Sequence, residues 1–401
     1  MSILLLTGYC ILIIIFLAAL ILLLPINKCE PLNIPGTINR IDEREAIFHR
    51  FYRLIPGSSE FKTYYRAHPE KLEHDRRLRE MPDLAEPGTS FFSSLSSPYP
   101  LSVFDLIEKI NQNLDAQENV KTVKPVHVEA TNMTNRIKGF ARYLGADCIG
   151  MTRLNPKFIY SHIGRSPGQW GAPVDLDHPY AVVLAVEMNH QMTGTAPELP
   201  ALTETAVRYL NVTGIAVILS RYIQRLGYKA RAHVDGNYRV LCVPVAVDAG
   251  LGELGRHGLL ITPQFGSRVR LAVVTTDMPL IPDSPVSFGV QDFCSICRKC
   301  ADFCPSNAIN SQKKQVVNGV EKWQTDQEAC YSQWRHFGTD CGICIRVCPY
   351  SHPNSPFHNT IRRIIRRNML ARRLAFYLDS FFYSRNSSSR IESFGWHGKD
   401  Q

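Results

Sequence analysis

The stretch Cys294-Ser-Ile-Cys297-Arg-Lys-Cys300-Ala-Asp-Phe-Cys304-Pro305 decides how the last third of this chain folds. A shorter version, Cys341-Gly-Ile-Cys344-Ile-Arg-Val-Cys348-Pro349, follows it, and Cys330 lies between the two runs. Three thiolates at three-residue intervals can hold three corners of one four-iron, four-sulfur cube, whereas the fourth cysteine of such a run ligates the neighbouring cube. The spacing therefore predicts two [4Fe-4S] clusters and a protein that carries electrons.

This logic divides eight cysteines into two ligand sets. The first cysteine set contains Cys294, Cys297, Cys300 and Cys348, and the second cysteine set contains Cys304, Cys330, Cys341 and Cys344. Zinc ribbons usually present cysteines in pairs, and disulfide scaffolds are typical of short secreted chains, not of a chain of 401 residues. The remaining cysteines, at positions 10, 29, 148 and 242, are spaced singly and are predicted to have no ligand role.

The bulk composition is that of a globular protein with two or three domains: 45% of the residues are hydrophobic and 20% are charged. The net charge is +9, but residues 359–385 carry seven arginines against one aspartate, a net +6, which leaves +3 for the rest. Because the body of the chain is close to neutral, we do not expect a nucleic-acid-binding surface.

The N-terminal sequence predicts a membrane anchor. Residues 3–24 (ILLLTGYCILIIIFLAALILLL) form an apolar run that, at about 1.5 Å per residue in a helix, spans a hydrocarbon core of roughly 30 Å. No basic region precedes the run and no cleavage site follows it, which favours an uncleaved transmembrane helix over residues 1–25 rather than a signal peptide. Lys28, Arg40 and Arg44 follow the run, so the positive-inside rule predicts a single pass through the inner (cytoplasmic) membrane, with the catalytic part in the cytoplasm.

The C-terminal sequence predicts a second membrane contact. Residues 358–385 place arginine pairs against isoleucine, leucine and phenylalanine at helical spacing, which is typical of a basic amphipathic helix in the membrane interface. The alternative is a helix packed on the protein with its arginines in solvent. Residues 386–401 are predicted to form a flexible tail.

An α/β core is predicted between the two ends of the chain. Residues 26–125 read as a mostly helical region, with a proline- and serine-rich connector at 82–102. Residues 126–290 alternate predicted helices with predicted strands, which favours an α/β fold in front of a cluster domain at 291–352. The helices are expected at 134–144 and 203–226, and the strands at 148–150, 180–186, 238–247 and 268–275.

One glycine motif requires a decision. Gly250, Gly252 and Gly255 fit the G-x-G-x-x-G pattern of dinucleotide sites, and Asp277 lies where a ribose-binding acid would be. However, Pro263 closes the segment before a crossover helix of the required length can form. We therefore expect these glycines to let the backbone approach a large flat ligand instead.

The sequence resembles the reductive dehalogenases. The resemblance is carried by DAGLGELGRHGLLITPQFGSRVRL at 248–271, by TDMPL at 276–280, and by Phe293-Cys294 with the two cysteine runs, and it covers roughly residues 126–352. More distantly, the chain is similar to the epoxyqueuosine reductases. The resemblance implies an α/β (α+β) fold, with a nitroreductase-like domain that binds a corrinoid (base-off cobalamin) and a ferredoxin-like domain with two [4Fe-4S] clusters. It also implies that Arg256 helps the three glycines to bind the corrinoid.

The resemblance further implies a reaction. A small organohalide would take up two electrons and a proton and would release halide, with a tyrosine as the proton donor. Tyr209 is the best match for this tyrosine, with Asn237 and either Arg268 or Arg270 as partners. Strand alternation puts both arginines on one face, so the sequence does not choose between them. A cation beside the phenol is expected to lower the pKa of Tyr209.

Two other functions stay open at this point. Respiratory reductive dehalogenases carry a twin-arginine leader, whereas this sequence has an apolar run in its place, and this difference disfavours a respiratory role. The sequence does not indicate the electron donor. The protein could be a membrane-associated ferredoxin-type electron-transfer protein without its own substrate, although the long α/β region disfavours this alternative. It could also act like an epoxyqueuosine reductase, which the apolar N-terminal run and the near-neutral body disfavour.

Overall fold

The computed structural model describes residues 21, 22, 24–26, 32–114, 124–127, 129–165 and 167–383. Most of the predicted transmembrane helix and all of the predicted tail at 386–401 lie outside these residues. Among the helices that the structure describes, none is both long enough and apolar enough to cross a membrane.

The core of the protein is a four-stranded antiparallel sheet. Its strands are adjacent in the order β1-β2-β6-β3, and Val183 of β2 pairs with Val273 of β6 at its centre. The predicted buried strand at 180–186 is confirmed, since every residue from Ala181 to Val186 is buried. The strands that the structure describes are β1 (Cys148–Arg153), β2 (Tyr180–Glu187), β3 (Ala230–His233), β4 (Glu253–Leu254), β5 (Leu260–Ile261), β6 (Val269–Thr276), β7 (Gln315–Val317) and β8 (Val320–Lys322).

Each face of the sheet has its own apolar core. Val182, Leu184 and Val274 point to one side and pack with long helices of the domain, whereas Ala181, Val183 and Val273 point to the other side. This alternation follows from the two-residue repeat of a strand. The structure therefore has the mixed α/β fold that was predicted.

Helices pack against the sheet, and further helices precede and follow the sheet region along the chain. The helices before the cluster domain are α1 (Ile47–Tyr52), α2 (Ser59–Ala67), α3 (Pro69–Glu80), α4 (Pro98–Leu114), α5 (Ala130–Tyr143), α6 (His190–Thr193), α7 (Leu199–Arg225) and α8 (Cys242–Asp248). The later helices are α9 (Val290–Ile296), α10 (Lys299–Asp302), α11 (Gln327–Phe337), α12 (Ile343–Arg346), α13 (Pro356–Arg367) and α14 (Met369–Phe382).

Three predictions about these elements were wrong. Residues 238–247 do not form a strand, because α8 begins at Cys242 and Pro244 lies in its first turn, where the missing N–H is harmless but a sheet ladder would be broken. The predicted connector at 82–102 ends early, because α4 begins at Pro98. The predicted single helix at 358–385 is divided at Asn368, whose side chain accepts hydrogen bonds from the amides of Leu370 and Ala371 and so caps a new helix.

The cluster domain turns its second cysteine run back toward the sheet. Helix α11 ends at Gly338, whose φ of 75° is the left-handed conformation that glycine favours at a helix C-terminus. Thr339 then donates a hydrogen bond from Oγ1 to the carbonyl oxygen of Pro197, just before α7. This contact places Asp340 and Cys341 beside the long helix of the α/β core.

Candidate active site

The folded chain brings the eight cysteines together, and their division into two ligand sets stays a prediction. The first cysteine set is buried, and the strongest thiol neighbours of Cys294 are Cys348 and Cys297. In the second cysteine set, the thiol neighbours of Cys341 are Cys330 and Cys304. Burial raises the pKa of Cys341 to about 12 and that of Cys330 to about 11, and repulsion by neighbouring thiolates adds to both shifts. Four neighbouring buried thiols are costly to ionise without a positive charge between them. A cationic metal cluster supplies that charge and keeps its thiolate ligands deprotonated, so both groups suit such a cluster.

The two cysteine sets lie against each other. Cys300 of the first set packs in one cluster with Cys304 and Cys344 of the second set, together with Ile309. Burial raises the pKa of the Cys348 thiol, while hydrogen bonds from the amide of Tyr350 and from the hydroxyl groups of Ser267 and Ser351 oppose that rise. Bound clusters would therefore be neighbours, which suits the passage of electrons from one to the other.

Arg256 supports the loop of the first cysteine set. Its side chain is buried, lies over the ring of Trp323 at 4.4 Å, and donates from Nη2 to the carbonyl oxygen of Cys294 at 2.7 Å. It also donates from Nη1 to the carbonyl oxygen of Asn310 at 2.9 Å. These contacts explain the arginine without a cofactor, and the predicted role of Arg256 in binding a corrinoid stays a prediction.

The three glycines of the G-x-G-x-x-G motif allow close packing of the protein on itself. A Cβ atom would lie 2.4 Å from the carbonyl oxygen of Ser284 at Gly250, and 2.1 Å from that of Ile261 at Gly252. At Gly255 it would lie 2.7 Å from Cε1 of His257. The close approach that these glycines permit is made by the protein itself, so their predicted approach to a flat ligand is not needed to explain them.

Tyr209 and Arg270 come together on α7 and β6. The guanidinium carbon of Arg270 lies 5.0 Å from the centre of the Tyr209 ring. Arg270 donates from Nη2 to Oγ1 of Thr205 at 2.6 Å and to Oδ2 of Asp340 at 2.9 Å. Thr205 in turn donates to the same Asp340 oxygen at 2.8 Å. The Nε of Arg270 is buried and has no hydrogen-bond partner in the part of the chain that the structure describes.

The electrostatics of Tyr209 differ from the prediction. Burial raises the pKa of Tyr209 to about 12 and outweighs the opposing effect of Arg270, while Asp235 and Asp340 raise it further. The expectation of a lowered pKa was wrong because burial in a medium of low polarity penalises phenolate more than one cation favours it. Tyr209 is therefore a neutral phenol at physiological pH, which is the form that can give a proton away.

The two candidate arginines have different surroundings. Arg268 is buried, donates from Nε to the carbonyl oxygen of Ser351 at 2.6 Å, and pairs through Nη1 with Glu187 at 3.0 Å. It therefore joins the ends of the inner strands β2 and β6 to the segment that follows Cys348. Only Arg270, of these two, lies against Tyr209 in the structure.

Asn237 braces a turn. It is fully buried; its Oδ1 accepts from Nη2 of Arg231 at 2.7 Å, and its Nδ2 lies 3.4 Å from the carbonyl oxygen of Asn111. The turn also carries Asp235, which lies 3.4 Å from Nη1 of Arg165. The structure thus places Asn237 next to groups that influence Tyr209, and its predicted part in proton transfer stays a prediction.

Sequence reasoning missed several groups around Tyr209. Thr205 and Asp340 hold Arg270, and Arg165 and Tyr238 are both in electrostatic contact with Tyr209. Thr205 lies one helical turn before Tyr209, a spacing that places both on one side of α7. That spacing was a usable signal, whereas the approach of Asp340 depends on the fold of the cluster domain.

Comparison with known proteins agrees with this architecture. Residues 293–352 match the model of the 4Fe-4S dicluster domain. The chain is 32% identical over 289 residues to a tetrachloroethene reductive dehalogenase of Sulfurospirillum multivorans, covering 64% of this chain and 57% of the relative. It is also 32% identical over 307 residues to a tetrachloroethene reductive dehalogenase of Desulfitobacterium hafniense, covering 64% of this chain and 55% of the relative.

A solved structure is similar as well. The catabolic reductive dehalogenase NpRdhA superposes with a TM-score of 0.71 at 25% identity, over 88% of this chain and 48% of that protein. The chain thus spans about half the length of the proteins that it matches. A shorter similarity, 34% over 124 residues, relates 29% of this chain to 34% of an epoxyqueuosine reductase of Lactococcus garvieae. The resemblance to reductive dehalogenases is confirmed.

Proposed function

We propose that the protein is a corrinoid-dependent reductive dehalogenase that replaces the halide of a small organohalide by hydrogen. In this reaction R–X takes up two electrons and one proton and yields R–H and X⁻. The proposal is supported by the tetrachloroethene reductive dehalogenases described above. It is also supported by similar solved structures of reductive dehalogenases: one suggests a mechanism for B12-dependent dehalogenation, and another is a complex with 3-bromo-4-hydroxybenzoic acid.

One observation carries the proposal: a continuous set of contacts joins a neutral phenol to a cluster ligand. Tyr209 lies against Arg270, Arg270 is held by Asp340, and Asp340 directly precedes Cys341 of the second cysteine set. A proton donor and an electron carrier are thereby held at one site. Reductive replacement of halide needs both of them.

The residues of the structure fit a large polar cofactor. His257 Nε2 and Thr325 Oγ1 are buried and lack hydrogen-bond partners among the described residues, although buried polar groups are nearly always paired. A Cβ at Gly258 would lie 3.4 Å from Thr325 Oγ1, so both groups belong to one region. A corrinoid, whose ring is edged with amide groups, would supply partners for them. When bound, the corrinoid would supply the two-electron chemistry at the carbon–halogen bond.

The side chains of this chain would do the rest. Tyr209, protonated because its pKa is about 12, would give its proton to the carbon that loses halide. Arg270 would stabilise the phenolate that this leaves, since a nearby cation favours the charged phenol. Its Nε, which has no hydrogen-bond partner among the described residues, offers an N–H to an anion such as the departing halide.

We also propose attachment to the inner membrane, with the catalytic part in the cytoplasm. The apolar run at 3–24 and the basic residues behind it support this placement. The basic C-terminal helices support a lipid contact at the same surface.

Metal and corrinoid analysis of anaerobically purified protein tests the proposed function. We expect about eight irons per chain and about one corrinoid, together with halide release from an organohalide under a strong reductant. Clusters without corrinoid and without halide release would identify an electron-transfer protein instead. Turnover of epoxyqueuosine but not of organohalides would identify a relative of the epoxyqueuosine reductases.

A further inference from the structure

Helix α14 exposes an apolar stripe. The stripe consists of Leu370, Leu374, Tyr377, Leu378, Phe381 and Phe382, which are between 42% and 78% exposed. These positions recur at intervals of three and four residues and therefore lie on one side of the helix. Six large apolar side chains exposed side by side on one helix indicate an interaction surface.

The opposite side of α14 is fixed to the cluster domain. Arg372 is fully buried and donates from Nε to Oδ2 of Asp292 at 2.7 Å. Asp379 is paired with Lys299, which lies between two ligands of the first cysteine set, and with His352. Because these ion pairs hold the helix in place, the apolar stripe cannot rotate inward.

An arginine cleft lies on the neighbouring helix α13. It is lined by Arg363, Arg366 and Arg367 together with Ser287 and Phe288. All three arginines are exposed, and none of them has an ion-pair partner in the described part of the chain. The three guanidinium groups line the cleft without a carboxylate among its lining residues, while the hydroxyl of Ser287 donates to Oε1 of Glu253 at 3.4 Å. Three neighbouring guanidinium groups suit a phosphate group.

The end of the apolar N-terminal run is bound at the junction of these two helices. Asn368 donates from Nδ2 to the carbonyl oxygens of Ile21 at 2.7 Å and Leu24 at 2.9 Å. The amide of Met369 donates to the carbonyl oxygen of Ile26 at 2.8 Å. The point where the predicted anchor meets the folded protein is therefore also the point where the arginine cleft meets the apolar stripe.

We propose that α13 and α14 form a docking platform for an anionic phospholipid bilayer. The apolar stripe enters the boundary between headgroups and acyl chains, and the arginine cleft binds a lipid phosphate. Charge complementarity and the position of residues 21–26 single out a bilayer as the occupant. The inference rests on the proposed membrane attachment and does not depend on dehalogenase activity. It also brings the first cysteine set close to the membrane, because Asp292 and Lys299 flank its ligands.

Photo-crosslinking of the full chain in lipid nanodiscs tests the occupant of the stripe. Phe381 is replaced by p-benzoylphenylalanine, and the matched control places the same group at Tyr143, an 86% exposed aromatic residue at the end of α5. We expect a lipid adduct by mass spectrometry from position 381 and none from position 143. Crosslinks from position 381 to residues 1–20, or to a second copy of the chain, in place of lipid would overturn the proposal.

Removing the charge of the cleft tests whether it binds a lipid phosphate. In nanodiscs that mix phosphatidylglycerol with phosphatidylcholine, the triple variant Arg363→Gln, Arg366→Gln and Arg367→Gln should reduce the ratio of anionic to zwitterionic adducts at position 381 by at least about fivefold. The control replaces Arg66, Arg76 and Arg77 on α2 and α3 by glutamine and removes the same charge from exposed positions. An unchanged ratio in the first variant would overturn the phosphate site. Halide release, measured separately in detergent, shows whether the proposed function fails independently.

Discussion

At the residue scale, the protonation state of Tyr209 depends on the balance between burial, which raises its pKa, and the nearby cation, which lowers it. Arg270 lies 5.0 Å from the Tyr209 ring, yet the pKa of that phenol is raised to about 12. Desolvation of the partly buried ring penalises phenolate, whereas the cation acts from one side and is itself paired with Asp340. The arginine therefore does not ionise the tyrosine in advance, and its stabilisation of phenolate becomes useful only once the proton has moved.

Replacing Tyr209 by phenylalanine should abolish proton delivery. We expect Tyr209→Phe to reduce halide release at least about a hundredfold, the usual contribution of a positioned proton donor, while iron and corrinoid contents stay unchanged. Steady-state assays with matched cofactor loading measure the effect. Tyr222→Phe, on the same helix but packed edge-on against Phe140, is the control and should keep full activity. An active Tyr209→Phe enzyme would remove this residue from the reaction.

Replacing Asp340 by asparagine should strengthen the binding of anions to Arg270. Asp340→Asn removes the charge that pairs with Arg270 but keeps the shape of the side chain. We expect turnover to fall about tenfold, and we expect inhibition by added chloride to become stronger because the guanidinium is no longer neutralised. Chloride inhibition constants provide the measurement. Thr205→Val removes an uncharged hydroxyl that accepts from Arg270 and donates to Asp340; because it leaves the charge on Asp340 in place, chloride inhibition should stay unchanged.

At the scale of elements, the sequence predicted those helices and strands that depend on a local pattern of residues. The buried run at 180–186 formed its strand, and Gly227, with φ of 89°, follows the end of α7 as expected. The apolar run at 242–248 formed a helix instead, because apolarity alone does not distinguish a buried strand from a short helix. The contact between Arg270 and Asp340 joins residues 70 positions apart, and only the folded chain shows it.

The packing of α1 depends on one neutral histidine. His49 is fully buried; its Nδ1 is bonded to the carbonyl oxygen of Arg44, and its Nε2 accepts from Nε1 of Trp170 at 2.7 Å. A protonated ring could not accept that bond, and burial lowers the pKa of His49 from 6.5 to about 4. Below pH 6.5, His49 therefore binds a proton in the unfolded chain but not in the folded chain. The free energy of unfolding consequently decreases as the pH falls from 6.5 toward 4.

Acid titration of stability checks this coupling. Between pH 7 and pH 5, His49 should contribute a loss of about 2 kcal/mol in the free energy of unfolding. Denaturant melts of wild type and His49→Gln measure it, and the variant should be less stable at pH 7 but should lose less on acidification. His336, an exposed histidine at the end of α11, is the control site, since His336→Gln should retain the wild-type slope. Equal slopes in His49→Gln and wild type would contradict the assignment.

At the scale of the whole molecule, the predicted crossed ligation would make the two cysteine runs one unit. The last cysteine of each run is predicted to ligate the cluster of the other run, and neither run would then assemble a cluster alone. The folded chain supports this crossing, because Cys348 is a thiol neighbour of Cys294 and Cys304 is one of Cys341. The first cysteine set adjoins α14 and the second adjoins Asp340. The domain thus connects the proposed membrane platform at one end to the proposed proton donor at the other.

Serine substitutions can show that the ligand sets cross. Cys348→Ser should remove the cluster that Cys294→Ser also removes, although Cys348 lies in the same run as Cys341 and Cys344. We expect each variant to lose about three to four irons per chain. The electron paramagnetic resonance spectrum of reduced Cys348→Ser should match that of Cys294→Ser and differ from that of Cys341→Ser. Cys148→Ser on β1 is the control and should retain both signals, because Cys148 belongs to neither set. If Cys348→Ser matched Cys341→Ser instead, each run would ligate its own cluster, and shared ligation would not join the two runs into one unit.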